Sequence, residues 1–152
     1  MPRLSERIGT SIGFQMDHLT AAARRDLMGR IRGQDTAPEM RVRRVLHRLG
    51  FRFRVHRRDL PGTPDVLLPR YKTAIFVHGC FWHRHPGCKR ASQPVTNTEK
   101  WKQKFVRNIE RDRIVERELS ALGWAVTVIW ECEATNEEAL SKKLLLLLKG
   151  SR

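Results

Sequence analysis

The chain has 152 residues, of which 40% are hydrophobic and 30% charged, which suits one packed domain and excludes wholesale disorder. Lysine and arginine number 30 against 16 acids, a formal net charge of +14, a surplus that must face solvent or meet a polyanion, nucleic acid before acidic membrane. The longest apolar run, Leu144 to Leu148, excludes a spanning helix, which needs roughly 20 residues. No hydrophobic export signal opens the chain. Three cysteines argue against a disulfide framework and for a reducing compartment.

Residues 1–16 are aperiodic and contain Gly and Ser, so they read as a flexible extension ahead of a single domain over 17–152. Thr20 to about Arg30 can form a short helix with Leu19, Ala23 and Leu27 in line. Thr36 and Glu39 then make a T-x-x-E capping box. The helix it opens carries Val42, Val45, Leu46 and Leu49 on one face and stops at Gly50. Phe51, Phe53 and Val55 alternate with Arg52, Arg54 and His56, as in a half-exposed strand. Pro61-Gly62-Thr63-Pro64 is a turn, and Asp65 to Leu68 and Thr73 to Val77 are short apolar runs fit for adjacent strands.

Residues 80–98 hold Cys, His, Pro, Gly and Asn without a period and read as a loop. Glu99 to Leu122 is a long helix, with a small offset between its two apolar sets that predicts a break or rotation near Asp112. Glu110, Asp112, Glu116 and Glu118 alternate there with Arg, as on a salt-bridged exposed face. Trp124 to Trp130 is a strand, and Thr135 with Glu138 forms a second capping box before a leucine-rich last helix. The order α-α-β-β-β-α-β-α describes an α/β sandwich with a central mixed sheet.

The chemistry concentrates in His78-Gly79-Cys80-Phe81-Trp82-His83-Arg84-His85-Pro86-Gly87-Cys88. Cys80, His85 and Cys88 can wrap a tetrahedral Zn²⁺, and Cys132, at the end of the last strand, can close the site; the plain alternative is three small buried thiols. His78 and His83 are surplus to that zinc and of a type that takes a proton from water or steadies phosphoryl charge. Asp65 follows a turn and opens a strand, where a carboxylate is a hard ligand for Mg²⁺. Pro64-Asp65 matches the first half of a motif of restriction-type nucleases; the second half, an acid and then Lys one residue later, is absent, with Ile75-Phe76-Val77 in its place. Phe81-Trp82, with Trp101, can wedge between bases or simply pack. Residues 24–58 hold twelve Arg and three acids, a concentration suited to phosphate.

Several segments resemble the very-short-patch repair (Vsr) endonucleases: Leu60-Pro61-Gly62-Thr63-Pro64-Asp65, Phe76 to His83, Asn108-Ile109-Glu110-Arg111-Asp112, Leu122-Gly123-Trp124 and Trp130-Glu131-Cys132. The resemblance runs from about Arg25 to Cys132 in register. It implies a restriction-endonuclease-like fold and Mg²⁺-dependent nicking of duplex DNA on the 5′ side of the thymine in a T·G mismatch, the lesion left by deaminated 5-methylcytosine. It implies Mg²⁺ at Asp65 and the Val77 carbonyl, His83 as general base through water, His78 at the scissile phosphate and Glu39 near the metal's waters. It matches Cys80, His85, Cys88 and Cys132 to structural zinc ligands, and Phe81, Trp82 and Trp101 to intercalating aromatics. Two departures stand out: Val77 replaces a threonine, and one extra residue lies between His85 and Cys88. The expected setting is the bacterial cytoplasm, at the nucleoid, as a monomer, alongside mismatch-repair proteins or a cytosine-5 methyltransferase system. The competing readings are a restriction-like endonuclease of matched DNA and a non-catalytic, zinc-stabilised DNA-binding module.

Overall fold

The computed structural model describes residues 20–23 and 34–150. Residues 21–23 are helical; the rest of the expected first helix and the 1–16 extension lie outside the described residues. Helix α1 spans Ala37–Arg48, capped by Thr36, whose hydroxyl accepts from the Glu39 N–H at 3.4 Å. The reciprocal arm of the capping box is displaced by one residue. The Glu39 carboxylate accepts from the Asp35 N–H at 3.0 Å and from the Thr36 hydroxyl at 3.2 Å, so the acid is held at the helix mouth.

Strand β1 is only Arg54–Val55, shorter than the alternation predicts. Phe51 and Phe53 still pack against the core, but the ladder is confined to Arg54↔Leu67 and Val55↔Val66, and His56 then leaves at φ 52°. Strand β2 (Val66–Leu68) is fully buried, and a 3₁₀ turn at Pro69–Tyr71 leads into β3 (Thr73–His78). Helix α2 (Thr98–Ala121), strand β4 (Ala125–Trp130) and helix α3 (Glu137–Lys149) complete the order. The second capping box does not form. Asn136 caps α3 by accepting from the Ala139 N–H, while the Thr135 hydroxyl turns back to the Cys132 carbonyl.

The sheet runs β1-β2-β3-β4, antiparallel except for the parallel β3–β4 pair. Its two faces separate by strand alternation. Val66, Leu68, Ile75 and Ile129 pack with Val42, Val45 and Leu46 of α1 and Leu140, Leu144 and Leu148 of α3. Leu67 and Ala74 pack on the other face against Leu119 and Val115 of α2. The result is the expected α/β sandwich with a mixed sheet. No helix among the described residues is long and apolar enough to cross a membrane.

Helix α2 is uninterrupted, so the expected break near Asp112 is absent. At about 100° per residue, Trp101, Phe105, Asn108, Asp112, Val115 and Leu119 fall within about 80° of arc. They form one inward stripe whose middle is polar. Asp112 therefore leaves the exposed face predicted for it, and among the described residues Glu110, Glu116 and Glu118 form no ion pair. The offset in the apolar pattern marks where the helix passes polar chemistry.

The turn ahead of β2 lies hard against α2. Gly62 has φ +70°, and a Cβ there would come within 2.4 Å of the Val115 side chain. Gly62→Ala should therefore cost about 2–4 kcal/mol, from left-handed strain plus overpacking, read as a lowered urea midpoint; an unchanged midpoint would show that the turn is not pinned to α2.

Candidate active site and metal centre

Asp65 sits where the antiparallel ladder runs out. The register Val66↔Ile75 carries Val77 opposite Pro64, which has no N–H to give. The Val77 N–H instead donates to the Asp65 carboxylate at 2.7 Å, and the Val77 carbonyl meets no N–H on that side. A carboxylate and a backbone carbonyl are thus brought together, the hard oxygen set that Mg²⁺ prefers. Burial pushes the Asp65 carboxyl up to about 6, with the nearby Glu39 charge adding to the rise and the Val77 N–H opposing it. A cation here would relieve the same penalty.

Strand β3 carries no acid. Ile75 is buried in the core, while Glu39, itself buried, reaches the Asp65 neighbourhood from the mouth of α1. Glu39 belongs to a knot in which Asp35, Glu39 and His56 gather their polar atoms within 4.8 Å. Arg43 ties the knot, donating to Asp35 at 2.7 Å and Glu39 at 3.4 Å and lying 3.1 Å from the His56 ring. The sequence pattern reads His56 as a strand position and Arg43 as one of the phosphate-suited arginines, not as partners of Glu39.

His78 ends β3 and His83 follows in the loop, their rings stacked with centroids 3.8 Å apart and 8° between planes. The Nδ1 of His83 lies 2.6 Å from the Asp112 carboxylate. With the proton on that nitrogen, Nε2 is left with a free lone pair, the tautomer a general base needs. Burial, and then the neighbouring His83, depress the His78 pKa to about 4. His78 is therefore a neutral hydrogen-bonding group near neutral pH, not a standing positive charge. Sequence reading missed Asp112, although its place on the inward stripe of α2 with Asn108 was a usable signal. Asn108 donates to the Trp82 carbonyl at 3.1 Å and holds the same loop from one turn away.

Cys80, His85, Cys88 and Cys132 converge with their ligand atoms all within 4.8 Å. The His85 Nδ1 lies 3.6 Å from Cys80 Sγ and 3.4 Å from Cys132 Sγ. Zinc bonds of about 2.3 Å to sulfur and about 2.0 Å to nitrogen give a tetrahedral S···N edge of about 3.5 Å, so the donors fit the ion. Gly87, just before Cys88, takes a left-handed conformation at φ +69°. Burial pushes the Cys80 thiol well above its usual range, a cost that a cation would reverse. Around the cluster, Glu131 accepts from the Cys80 N–H at 3.2 Å, and the His85 ring stacks on Trp130 at 4.3 Å.

Phe81, Trp82 and Trp101 form one cluster with Phe105. Phe81 and Trp101 are 3% and 9% exposed, and Trp82 is half-buried. Lys104 lies 4.9 Å from the Trp82 ring, and Arg84, 4.2 Å from Phe105, donates to three loop carbonyls. Insertion of these aromatics into DNA therefore requires the cluster to open. The arginine run divides: Arg57 pairs with Asp59, Arg48 with Glu137, and Arg43 is internal, while Arg44, Arg52, Arg54 and Arg58 are exposed.

Residues 16–90 match the family described as DNA mismatch endonuclease Vsr. Over 135 residues the chain is 44% identical to the type II nicking enzyme V.XorIIP of Xanthomonas oryzae, covering 89% of this chain and 98% of that one. It is 39% identical to the type II nicking enzyme V.NmeAIP of Neisseria meningitidis, over 88% and 94% of the two chains. It is 42% identical to the DNA mismatch endonuclease Vsr of Escherichia coli, over 81% of each.

The raised Asp65 pKa has a definite sign in stability. A carboxyl lifted to about 6 on folding favours the native state below its unfolded value and loses that benefit as pH rises through 6. In magnesium-free buffer, Asp65→Asn should therefore exceed the parent by about 2–3 kcal/mol at pH 8, from about 1.4 kcal/mol per unit. The gap should close near pH 4. The His78 titration falls in the same window but is common to both proteins. A gap independent of pH in urea unfolding would mean that Asp65 is not desolvated.

Proposed function

Because the chain belongs to the Vsr DNA mismatch endonuclease family, and is thus a DNA endonuclease, we propose that it nicks duplex DNA on the 5′ side of the thymine of a T·G mismatch. The observation that carries this reading is the loop after β3, which bears both His83, oriented by Asp112, and the aromatic pair Phe81-Trp82. A base for hydrolysis and a wedge for a distorted base pair thus sit on one loop.

In this mechanism Asp65 and the Val77 carbonyl would hold Mg²⁺, and Glu39, buried at the mouth of α1, would add a second carboxylate charge nearby. The bound cation would act as a Lewis acid, offsetting charge on the phosphoryl oxygens. His83 takes a proton from the attacking water through Nε2, while Asp112 holds its Nδ1–H and steadies the imidazolium that forms. Water oxygen bonds to phosphorus as the P–O3′ bond breaks, leaving a 3′-hydroxyl and a 5′-phosphate. His78, neutral and stacked on His83, donates a hydrogen bond to the phosphate and limits the ring's freedom. Cys80, His85, Cys88 and Cys132 would hold Zn²⁺, and four protein donors would suit a structural rather than a catalytic ion.

Mismatch selectivity would come from Phe81, Trp82 and Trp101. Unstacking a wobble pair costs less than unstacking a matched one, so opening the aromatic cluster would be repaid preferentially at T·G. The relatives divide between mismatch endonuclease and nicking enzyme in their names, so the substrate is the point to test. With Mg²⁺ and end-labelled duplexes, a nick 5′ to the mismatched thymine is expected, absent from the matched C·G control and from Asp65→Ala. Asp112→Asn should slow the nick by about 10²-fold or more with KM little changed. Equal cutting of both duplexes would establish a restriction-like enzyme, and binding without cutting in every sequence context a DNA-binding module.

A further inference from the structure

The outer face of α1 carries a feature that the proposed reaction does not use. Met40, Arg43, Arg44, His47, Arg48 and Phe53 line an open groove of about 470 Å³ between α1 and the β1 edge. Three of the six are arginines and none is acidic. The side chains of α1 that pack the sheet, Val42, Val45 and Leu46, point the other way, so among the described residues only Phe53 of the groove also packs against the core.

The three arginines are held to different degrees. Arg43 is fixed by Asp35, Glu39 and His56. Arg48 pairs with Glu137 at 2.7 Å, but both side chains are open to water, at 59% and 42% exposed, and such a pair holds its partner weakly. Among the described residues, Arg44 has no side-chain hydrogen-bond partner. Two guanidinium forks are therefore available for phosphate.

We propose that this groove binds the phosphodiester backbone of the DNA duplex, beyond the nucleotides held at the catalytic carboxylates. Charge complementarity is the first support. Continuity is the second: Arg43 lines the groove and also binds Glu39, at the mouth of α1. From Met40 to Arg48 the helix rises about 12 Å, comparable with the axial rise of three nucleotides at about 3.4 Å each. Met40 and Phe53 give the deoxyribose carbons an apolar floor. Glu137 at the far end competes for Arg48, and the phosphate displaces it.

The proposal rests on the chain acting on DNA and is independent of the mismatch, because it concerns backbone contacts alone. The test is equilibrium binding to T·G and matched duplexes across a salt series, in magnesium-free buffer. The Arg44→Ala/Arg48→Ala variant should weaken binding to both duplexes alike, by about tenfold or more at low salt. It should also flatten the dependence of log K on log salt by about 2, close to one per lost phosphate contact. Arg44→Lys/Arg48→Lys should keep most of the slope, since the charge remains. Lys142→Ala/Lys149→Ala removes the same charge from α3 and should leave affinity near the parent value. Parent-like affinity and slope in the alanine pair would overturn the proposal and leave the groove for an acidic protein partner. Equal losses in the α3 control would also overturn it, by reducing the effect to net charge. Failure of T·G selectivity in the nicking assay would leave these binding results unaltered.

Discussion

Strands β3 and β4 run parallel in a six-residue register that ends with His78 beside Trp130. Both chains consequently leave the sheet at the same edge, the place where α/β folds gather their chemistry. Two residues beyond each strand end stand Cys80 and Cys132, facing one another across the exit with His85 between them. The register therefore places half of the cysteine–histidine cluster before any loop is considered. The cluster in turn closes the loop that carries His83 and the aromatic pair. An antiparallel β4 would send Cys132 to the opposite edge and leave the loop unanchored.

The loop is gripped from the other side by the polar middle of α2. A buried polar residue in a packing helix carries a desolvation cost unless it is hydrogen-bonded. Asn108 and Asp112 both meet that condition by bonding to the loop, one to the Trp82 carbonyl and one to the His83 ring. The apolar ends of the same stripe hold the wedge aromatics through Trp101 and Phe105, and the sheet through Leu119. One helix thus ties core, base and wedge together. Asp65, by contrast, is raised by burial and by Glu39, a destabilised arrangement typical of a site prepared for a cation.

Much of this was legible in the residues. Periodicity gave α1, which buries one face against the sheet, while unbroken apolar runs gave β2, β3 and α3, the first of them buried throughout. The spacing of Cys80, His85 and Cys88, with Cys132 after a strand, gave the metal cluster, because ligands must come from a loop and an adjacent edge. Other features were hidden because they depend on partners distant in sequence. Asp112 was read as one more charge on an exposed helix although its spacing put it on the inward stripe; its partner, His83, could come only from the position of the loop. The Val77 carbonyl came only from the family resemblance, since the residue itself reads as plain strand and only the register sets it opposite Pro64. Phe51 and Phe53 promised a longer strand, but an edge strand lasts only as long as its partner, and β2 has three residues. Cap choice at α3 went to Asn136 over Thr135 because the threonine hydroxyl had a nearer acceptor in Cys132.

The cysteine–histidine cluster closes the loop and so holds His83 against Asp112. The most direct measurement is the side-chain ¹⁵N–¹H NMR signal of the His83 Nδ1–H, followed in the parent and in Cys132→Ser. The account predicts a protected, strongly hydrogen-bonded proton in the parent. In the variant, zinc and that signal should disappear together while the backbone amides of β2 and β3 keep their positions. A His83 signal that persists unchanged in a variant no longer able to hold zinc would contradict the account, leaving α2 alone to position the base.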